Sequence, residues 1–310
     1  MSLLDLKLYK NMLLIRKVEE SIAKNYDAGK MRCPTHLSIG QEAAASGVGL
    51  ALKKSDSAVS THRAHDAMIA EIYGKATGCC KGRGGSMHLI DRKVGFEGST
   101  AIVGNTIPIG VGLGLSKKIS KKKSISVVYC GDGSVEEGVF YESINFAATK
   151  NIPVLFVCEN NSYSVYSPLS VRQPEGRKIH EMVKGMGVDS AYEDGNDIRK
   201  VYRLTKRAIS KIYETGNPFF MELQTYRWRE HCGPNYDNNI GYRSEEEFLE
   251  WKKRDPIKLF EKKLLKEKIC TKGEIRRINK EVLGQIKEAF NFAKSSPFPD
   301  PSEAFESMFA

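Results

Sequence analysis

Two apolar runs, lying about thirty residues apart, constrain this chain more than any other feature. Ile125 to Cys130 (ISVVYC) is rich in β-branched residues, and Ile152 to Glu159 (IPVLFVCE) is apolar without a helical period. Both have the length and composition of buried strands. Between them, Val135 to Lys150 carries apolar residues at helical spacing. Strand, helix and strand in so short a span form a βαβ unit, whose crossover makes the two strands parallel. Their carboxyl ends then lie side by side at one sheet edge, where open α/β sheets bind ligands.

At those two ends stand Gly131-Asp132-Gly133 and Asn160-Asn161. Asp132 and Asn161 are therefore expected to be close in space, although 29 residues separate them in sequence. One carboxylate, one amide oxygen and a nearby backbone carbonyl make a hard oxygen set. Such a set suits Mg²⁺ or Ca²⁺, with phosphate oxygens completing the shell. The glycines let backbone approach a phosphate. A helix starting after Gly133 is expected to aim free N–H groups and its positive end at that phosphate. Either motif alone is ordinary turn chemistry. Strand, GDG, helix, strand and NN in this order read as a metal–diphosphate cradle.

The chain has 310 residues, 41% of them hydrophobic, which is ample for a sizeable core. Its net charge of +10 gives a basic surface suited to an anionic ligand, an acidic partner or nucleic acid. The densest basic cluster, 117-KKISKKK-123, reads as a solvated helix end and turn. Seven scattered cysteines, an odd number with no CxxC pair, argue against a disulfide framework and a zinc site. They point to a reducing cytosol. Cys130 and Cys158 read as small buried hydrophobes, and the vicinal pair Cys79-Cys80 as structural. No secretory signal is visible, and the apolar run 101–115 is too short to span a bilayer. The expectation is a soluble, cytoplasmic chain with no membrane partner.

Elsewhere the pattern predicts a helix over 4–28, closed by Gly29, and a small-residue helix from Gln41 to about Leu52. A short strand near 57–63, a helix over 67–73 and a Gly- and Lys/Arg-rich loop over 78–89 follow. A helix of small residues over 107–119 reads as core or as part of an interface. Then come a loop at 181–188, a helix over 196–216 and a strand over 218–228. Residues 245–294 read as charged helix ending in a Pro-broken tail. With no internal repeat and no long linker, one domain over 1–310 is expected, with a helical C-terminal part from about 245.

These residues carry a family resemblance. The GDG…NN spacing resembles the thiamine-diphosphate motif. The blocks HLSIGQEA (36–43), STHRAH (60–65), GKATGCCKGRGGSMHL (74–89), AIVGNTIPIGVGLGL (101–115), QTYRW (224–228), GYRSEEE (241–247), RDPI (254–257) and FAKSSPFPDP (292–301) narrow it. The chain resembles the alpha subunit of the decarboxylating component of 2-oxo acid dehydrogenase complexes, whose substrates include pyruvate, acetoin and branched-chain 2-oxo acids. The resemblance runs from about residue 8 to the end and implies an α/β thiamine-diphosphate-binding fold. That fold is a central, mostly parallel sheet with helices on both faces and a helical C-terminal extension.

It also implies thiamine diphosphate and Mg²⁺ as cofactors. Asp132, Asn161 and the carbonyl of Tyr163 match the family's metal ligands. Gly133 and Ser134 match backbone contacts to the diphosphate. Arg63 and Arg227 match the arginines that grip it, with His62 where the family often has an aromatic. Ala101 and Val103 match contacts to the aminopyrimidine, and Val165 matches the apolar wedge that bends the cofactor. His231 and His36 match active-site histidines; His65 and His88 carry weaker signals, and His180 reads as surface. The implied partners are a beta subunit in an α₂β₂ heterotetramer, which supplies the glutamate that activates the pyrimidine ring, a lipoyl-bearing acyltransferase and a small 2-oxo acid. Nucleic acid is not among them.

Two stretches depart from the family pattern. Between HRAH (62–65) and EIYGK (71–75) the family usually carries roughly ten more residues near the entry to the site. In 229-REHCGPNYDNN-239, Glu230 and Cys232 flank His231 where the family typically has glycine and serine. The departures motivate a second enzymatic reading: a specialised relative that transfers or releases the activated aldehyde without a lipoyl partner. A nucleic-acid-binding role is the competing non-enzymatic reading, and the intact Asp132/Asn161 pair speaks against it.

Overall fold

The computed structural model describes residues 2–60 and 68–305. In chain order its elements begin with α1 (Ser2–Tyr26), α2 (Glu42–Gly49), β1 (Ser57–Ser60), α3 (Met68–Ile72), β2 (Phe96–Ser99) and α4 (Thr106–Ile119). The βαβ unit follows as β3 (Ser126–Gly131), α5 (Gly138–Thr149) and β4 (Val154–Asn160). A small hairpin, β5 (Tyr163–Ser164) with β6 (Ser167–Pro168), leads into one helical turn, α6 (Leu169–Arg172). Then come α7 (Ile179–Gly185), β7 (Asp189–Asp194), α8 (Ile198–Thr215) and β8 (Phe219–Gln224). Three α-helices follow among the described residues: α9 (Glu245–Lys253), α10 (Pro256–Lys266) and α11 (Lys272–Ser295).

Six of the described strands form one sheet in the order β2-β1-β3-β4-β8-β7, and every neighbouring pair in it is parallel. The central strands are buried on both faces, which explains why their sequences are apolar without alternation. On one face Val128, Phe156 and Phe220 pack with Val111 of α4, Phe140 of α5 and Val183 of α7. On the other, Val127, Leu155 and Met221 pack with Val48 of α2 and Val201 and Ile209 of α8. A third cluster joins Tyr9 and Met12 of α1 to Phe260 and Leu264 of α10 and to Val282 and Phe290 of α11. The C-terminal helices therefore share a core with the first helix.

The structure corrects several readings. The stretch expected as a loop at 181–188 is mostly α7, and the edge strand β7 follows it. β7 carries polar residues at both ends and lies at the sheet edge, so it shows no apolar run. β2 is a four-residue strand with no fully buried position, and it is equally silent in the sequence. The helix expected just after Gly133 begins at Gly138: Asp132–Glu136 form a 3₁₀ turn first, because Glu137 is extended (ψ 136°) and interrupts the helix. α2 is shorter than its small-residue pattern. α4 buries Ile107, Val111 and two glycines against the sheet while Ile109 and Ile119 stay exposed, so it is a core helix with an open second face.

The Gly-rich loop 78–89 is irregular, as expected, and its anchor is one buried carboxylate. Glu71 accepts the N–H groups of Cys80 (2.8 Å), Gly82 (3.0 Å) and Gly84 (2.6 Å). Cys79 and Cys80, whose sulfurs are 4.0 Å apart, sit against it with both thiols pushed up in pKa, chiefly by burial. Among the described residues no helix is long and apolar enough to cross a membrane.

Candidate active site

β3 and β4 pair in register, with Cys130 opposite Cys158 and Gly131 opposite Glu159. This places Asp132 beside the Asn160-Asn161 pair, and the backbone N–H of Asn161 donates to Asp132 Oδ1 at 3.2 Å. The Asn161 side chain is pinned at both ends. Its Oδ1 accepts the N–H of Tyr163 at 3.1 Å, and its Nδ2 donates to Gln41 Oε1 at 3.3 Å. The two asparagines divide their labour, because Asn160 turns the other way and bonds Glu222 of β8 at 2.7 Å.

A cleft opens at this edge. Asp132, Gly133, Ser134 and Asn161 form its floor, with Tyr163 and Val165 of the hairpin beside them. Ala101 and Val103, from the loop before α4, line another wall, together with His36 and His231. The two imidazoles meet edge to face with ring centroids 5.3 Å apart, although 195 positions separate them in sequence. Gly133 lies so close to the hairpin that a Cβ there would come within 2.5 Å of Ser164 Oγ. Val165 stands at φ 55°, a left-handed conformation that is a genuine outlier for a β-branched residue. Backbone strain at a cleft-lining valine is the kind of cost a structure retains when the side chain must point one way.

The charges in the cleft are arranged around Asp132, which is 1% exposed. Burial pushes its carboxyl up in pKa, against the pull of the Arg172 guanidinium and the Asn161 N–H. Arg172, at the end of α6, bridges Asp132 and Glu136. The carboxylate thus already holds a positive charge at the place where the oxygen set would hold a cation. A hard divalent ion fits this donor set: a buried carboxylate, an amide oxygen fixed in orientation, and the backbone of Tyr163 beside it.

These features meet a known sequence pattern. The family described as "Dehydrogenase E1 component" matches residues 10–302. The chain belongs to the dehydrogenase E1 component family. It is 35% identical to a pyruvate dehydrogenase E1 component subunit alpha of Rickettsia felis, over 98% of this chain and 95% of that protein. It is also 35% identical to the alpha subunit of the acetoin:2,6-dichlorophenolindophenol oxidoreductase of Bacillus subtilis, over 97% of this chain and 92% of that protein. A chloroplastic pyruvate dehydrogenase E1 component subunit alpha-3 of Arabidopsis thaliana is 34% identical over 98% of this chain and 74% of that protein. The sheet with helices on both faces and the helical C-terminus agree with the fold expected of this E1 family.

Of the residues singled out from the sequence, His36, Ala101, Val103, Asp132, Gly133, Ser134, Asn161, Tyr163, Val165 and His231 all line the one cleft. His62, Arg63 and His65 lie outside the described residues. Arg227 is not on the cleft wall. It is buried behind the hairpin, where its guanidinium donates to the carbonyls of Arg229 and Val165 and lies 3.9 Å from Asp237. Burial lowers its pKa. His180, read as surface, is half-buried: its side chain is 20% exposed and its Nδ1 lies 2.7 Å from Glu222 Oε2.

Sequence reasoning passed over Gln41, Arg172 and Glu222. Gln41 lies inside a quoted block, directly before α2, where it reads as the first residue of a small-residue helix. Arg172 and Glu222 give no local signal, since only the tertiary fold brings them to the strand ends. The loop 229–239 also has an internal logic. The Glu230 carboxylate accepts the N–H of Asn235 at 2.8 Å, its backbone N–H donates to Asn235 O at 3.0 Å, and Gly233 N–H donates to Thr35 O at 2.8 Å. Glu230 is therefore a clasp across its own loop, and its charge does not project into the cleft.

Proposed function

We propose that this chain is the alpha subunit of a thiamine-diphosphate- and Mg²⁺-dependent 2-oxo acid dehydrogenase, with pyruvate or a close analogue as substrate. The observation that carries the reading is the convergence of Asp132, Asn161 and the Tyr163 backbone with His36 and His231 in one cleft at the carboxyl edge of the sheet. Bound thiamine diphosphate supplies a carbon nucleophile and an electron sink for loss of CO₂. The chain supplies position and charge. Asp132, Asn161 and the Tyr163 carbonyl would hold the metal, and the amides of Gly133 and Ser134 would bind the diphosphate. Val165 would serve as the apolar wedge for the cofactor, and Ala101 and Val103 would contact its aminopyrimidine. Arg227 acts from behind the hairpin, by fixing the Val165 carbonyl and adding positive potential to the diphosphate side. His231 and His36 hold and move protons at the reacting end.

The relatives are named as alpha subunits, which supports a beta subunit that completes the site. In this reading the lipoyl group of an acyltransferase receives the acyl product. The Glu230 clasp and Cys232, at positions where the resemblance implies glycine and serine, favour a second reading in which the activated aldehyde passes to another acceptor.

The test begins with purification of the tagged chain from its own cells, identification of co-purifying proteins and a thiochrome assay for bound cofactor. A stoichiometric beta-type chain with cofactor, followed by dye reduction with one member of a 2-oxo acid panel, is expected. A lone chain that binds no thiamine diphosphate even with added Mg²⁺ overturns the reading. Dye reduction without lipoyl reduction selects the second acceptor class.

A further inference from the structure

Glu222 is a carboxylate on β8, 4% exposed, on a strand whose other buried positions are all apolar. Its Oε2 accepts the backbone N–H of His180 at 2.9 Å and lies 2.7 Å from His180 Nδ1. Its Oε1 accepts from Asn160 Nδ2 at 2.7 Å. The Asn160 amide is fixed by its two contacts, with Nδ2 toward Glu222 and the amide oxygen turned away from it. That oxygen accepts the N–H of Ser162 at 3.0 Å. Ser162 stands at φ 68°, in the left-handed region, between Asn161 and Tyr163. A second contact from β8, Gln224 Nε2 to Ser162 Oγ at 3.2 Å, holds the same residue.

We infer that Glu222 is a positioning residue for the metal-binding loop: braced by His180 from α7, it orients Asn160 so that Ser162 stays left-handed and Asn161 and Tyr163 both face the cleft. Glu222 lies off the cleft and acts only through Asn160. A buried carboxylate in a sheet interior is costly unless every contact is met, and here both oxygens are used. The polarity of the relay, acceptor at 222 and donor at 160, is what the loop geometry depends on. This inference rests on the reading of the cleft as a cofactor site.

The test titrates Mg²⁺ and thiamine diphosphate into the complex of this chain with its partner subunit, reading equilibrium binding and, separately, the melting temperature of the cofactor-free complex. Glu222→Gln leaves one acceptor oxygen for donors on two sides. It is expected to weaken cofactor binding about tenfold, the loss of one hydrogen bond to a charged group. Asn160→Asp removes the donor and is expected to do the same. The double variant E222Q/N160D reverses the polarity: the new amide donates to the new carboxylate at 160, which still accepts from Ser162. It is expected to return to within about threefold of the wild type. A purely structural role would lower melting temperatures and leave the binding constant where it was. Binding by E222Q within about twofold of the wild type, or a double variant no tighter than E222Q, overturns the inference. If E222Q fails to assemble, His180→Ala at the covered but outer end of the relay replaces it. Its binding is expected to weaken about threefold, and unchanged binding overturns the inference. Failure of the wild-type complex to bind the cofactor would instead overturn the functional reading on which this one stands.

Discussion

The guanidinium of Arg172 lies against the carboxylate of Asp132, side chains that are 9% and 1% exposed. Arg172 thus acts as the counter-charge of a buried metal-ligand candidate, and it reaches Glu136 with its other nitrogen. Removing one partner of a buried pair leaves an uncompensated charge, at a cost of about 3 kcal/mol. Arg172→Gln is therefore expected to lose about that much stability in metal-free urea melts. It should recover most of it at saturating Mg²⁺ and thiamine diphosphate. Equal losses with and without the cofactor would show that Arg172 is not displaced or relieved by the metal.

Val165 offers a test with two opposite signs. A left-handed β-branched residue costs about 1–3 kcal/mol, which glycine relieves at some entropic cost of its own. Val165→Gly is expected to leave the cofactor-free protein no less stable than the wild type, although a side chain has been lost. Turnover with a 2-oxo acid is expected to fall about tenfold, because the cofactor loses its wedge and its reacting orientation. A drop in stability with full turnover would remove the wedge assignment.

His231 and His36 meet ring to ring on the cleft wall. If they handle protons beside the reacting carbon, His231→Ala lowers turnover about 100-fold while cofactor binding changes far less. His36→Ala is expected to have a smaller effect of the same kind. Dye-reduction kinetics beside cofactor titrations separate the two quantities.

Asp197 provides a control away from the site. It caps α8 by accepting from Arg199 N–H (3.1 Å) and Lys200 N–H (3.3 Å), and it pairs with Lys263 at 2.6 Å. Burial raises its pKa, but the Lys263 pair and the cap outweigh burial and hold the carboxyl below its ordinary 3.8. A depressed folded pKa means stability that is present above the unfolded value and lost as pH falls through the folded one. Asp197→Ala is expected to cost about 1 kcal/mol at neutral pH. The gap to the wild type should close progressively below pH 3.8 in acid titrations of stability. A gap that persists unchanged in acid would assign the loss to packing.

Gly40 is a position where the backbone leaves no choice. It stands at φ 103°, and a Cβ would come within 2.5 Å of both Trp228 Cδ1 and the Tyr226 carbonyl. Gly40→Ala is expected to destabilise the chain by about 3 kcal/mol, by combining left-handed strain with overpacking. Because the HLSIG segment also carries His36, activity should fall even at temperatures where the variant remains folded. Thermal melts and turnover measured in parallel check this.

The βαβ unit was legible because both its strands are central and must be apolar on both faces. From that pattern alone Asp132 and Asn161 could be placed together, and the Asn161–Asp132 contact at 3.2 Å bears the placement out. Edge elements were harder to see. β7 and β2 bury little, so no hydrophobic run marks them, and α7 is only seven residues long. The 3₁₀ turn after Gly131 was hidden because one extended residue, Glu137, interrupts a sequence that otherwise reads as continuous helix.

The sequence by itself determined the local chemistry: which residues end the strands, which glycines let backbone approach, and which family the motifs resemble. Those properties depend on neighbours within a few positions, or on the spacing of one crossover. Only the tertiary structure decided the charge partners. Arg172 faces Asp132 across 40 positions, Glu222 braces Asn160 across 62, and the imidazoles of His36 and His231 meet across 195. Such pairings follow from how the sheet order brings separate strands and loops to one edge, and no short-range pattern encodes a contact whose two halves are set independently.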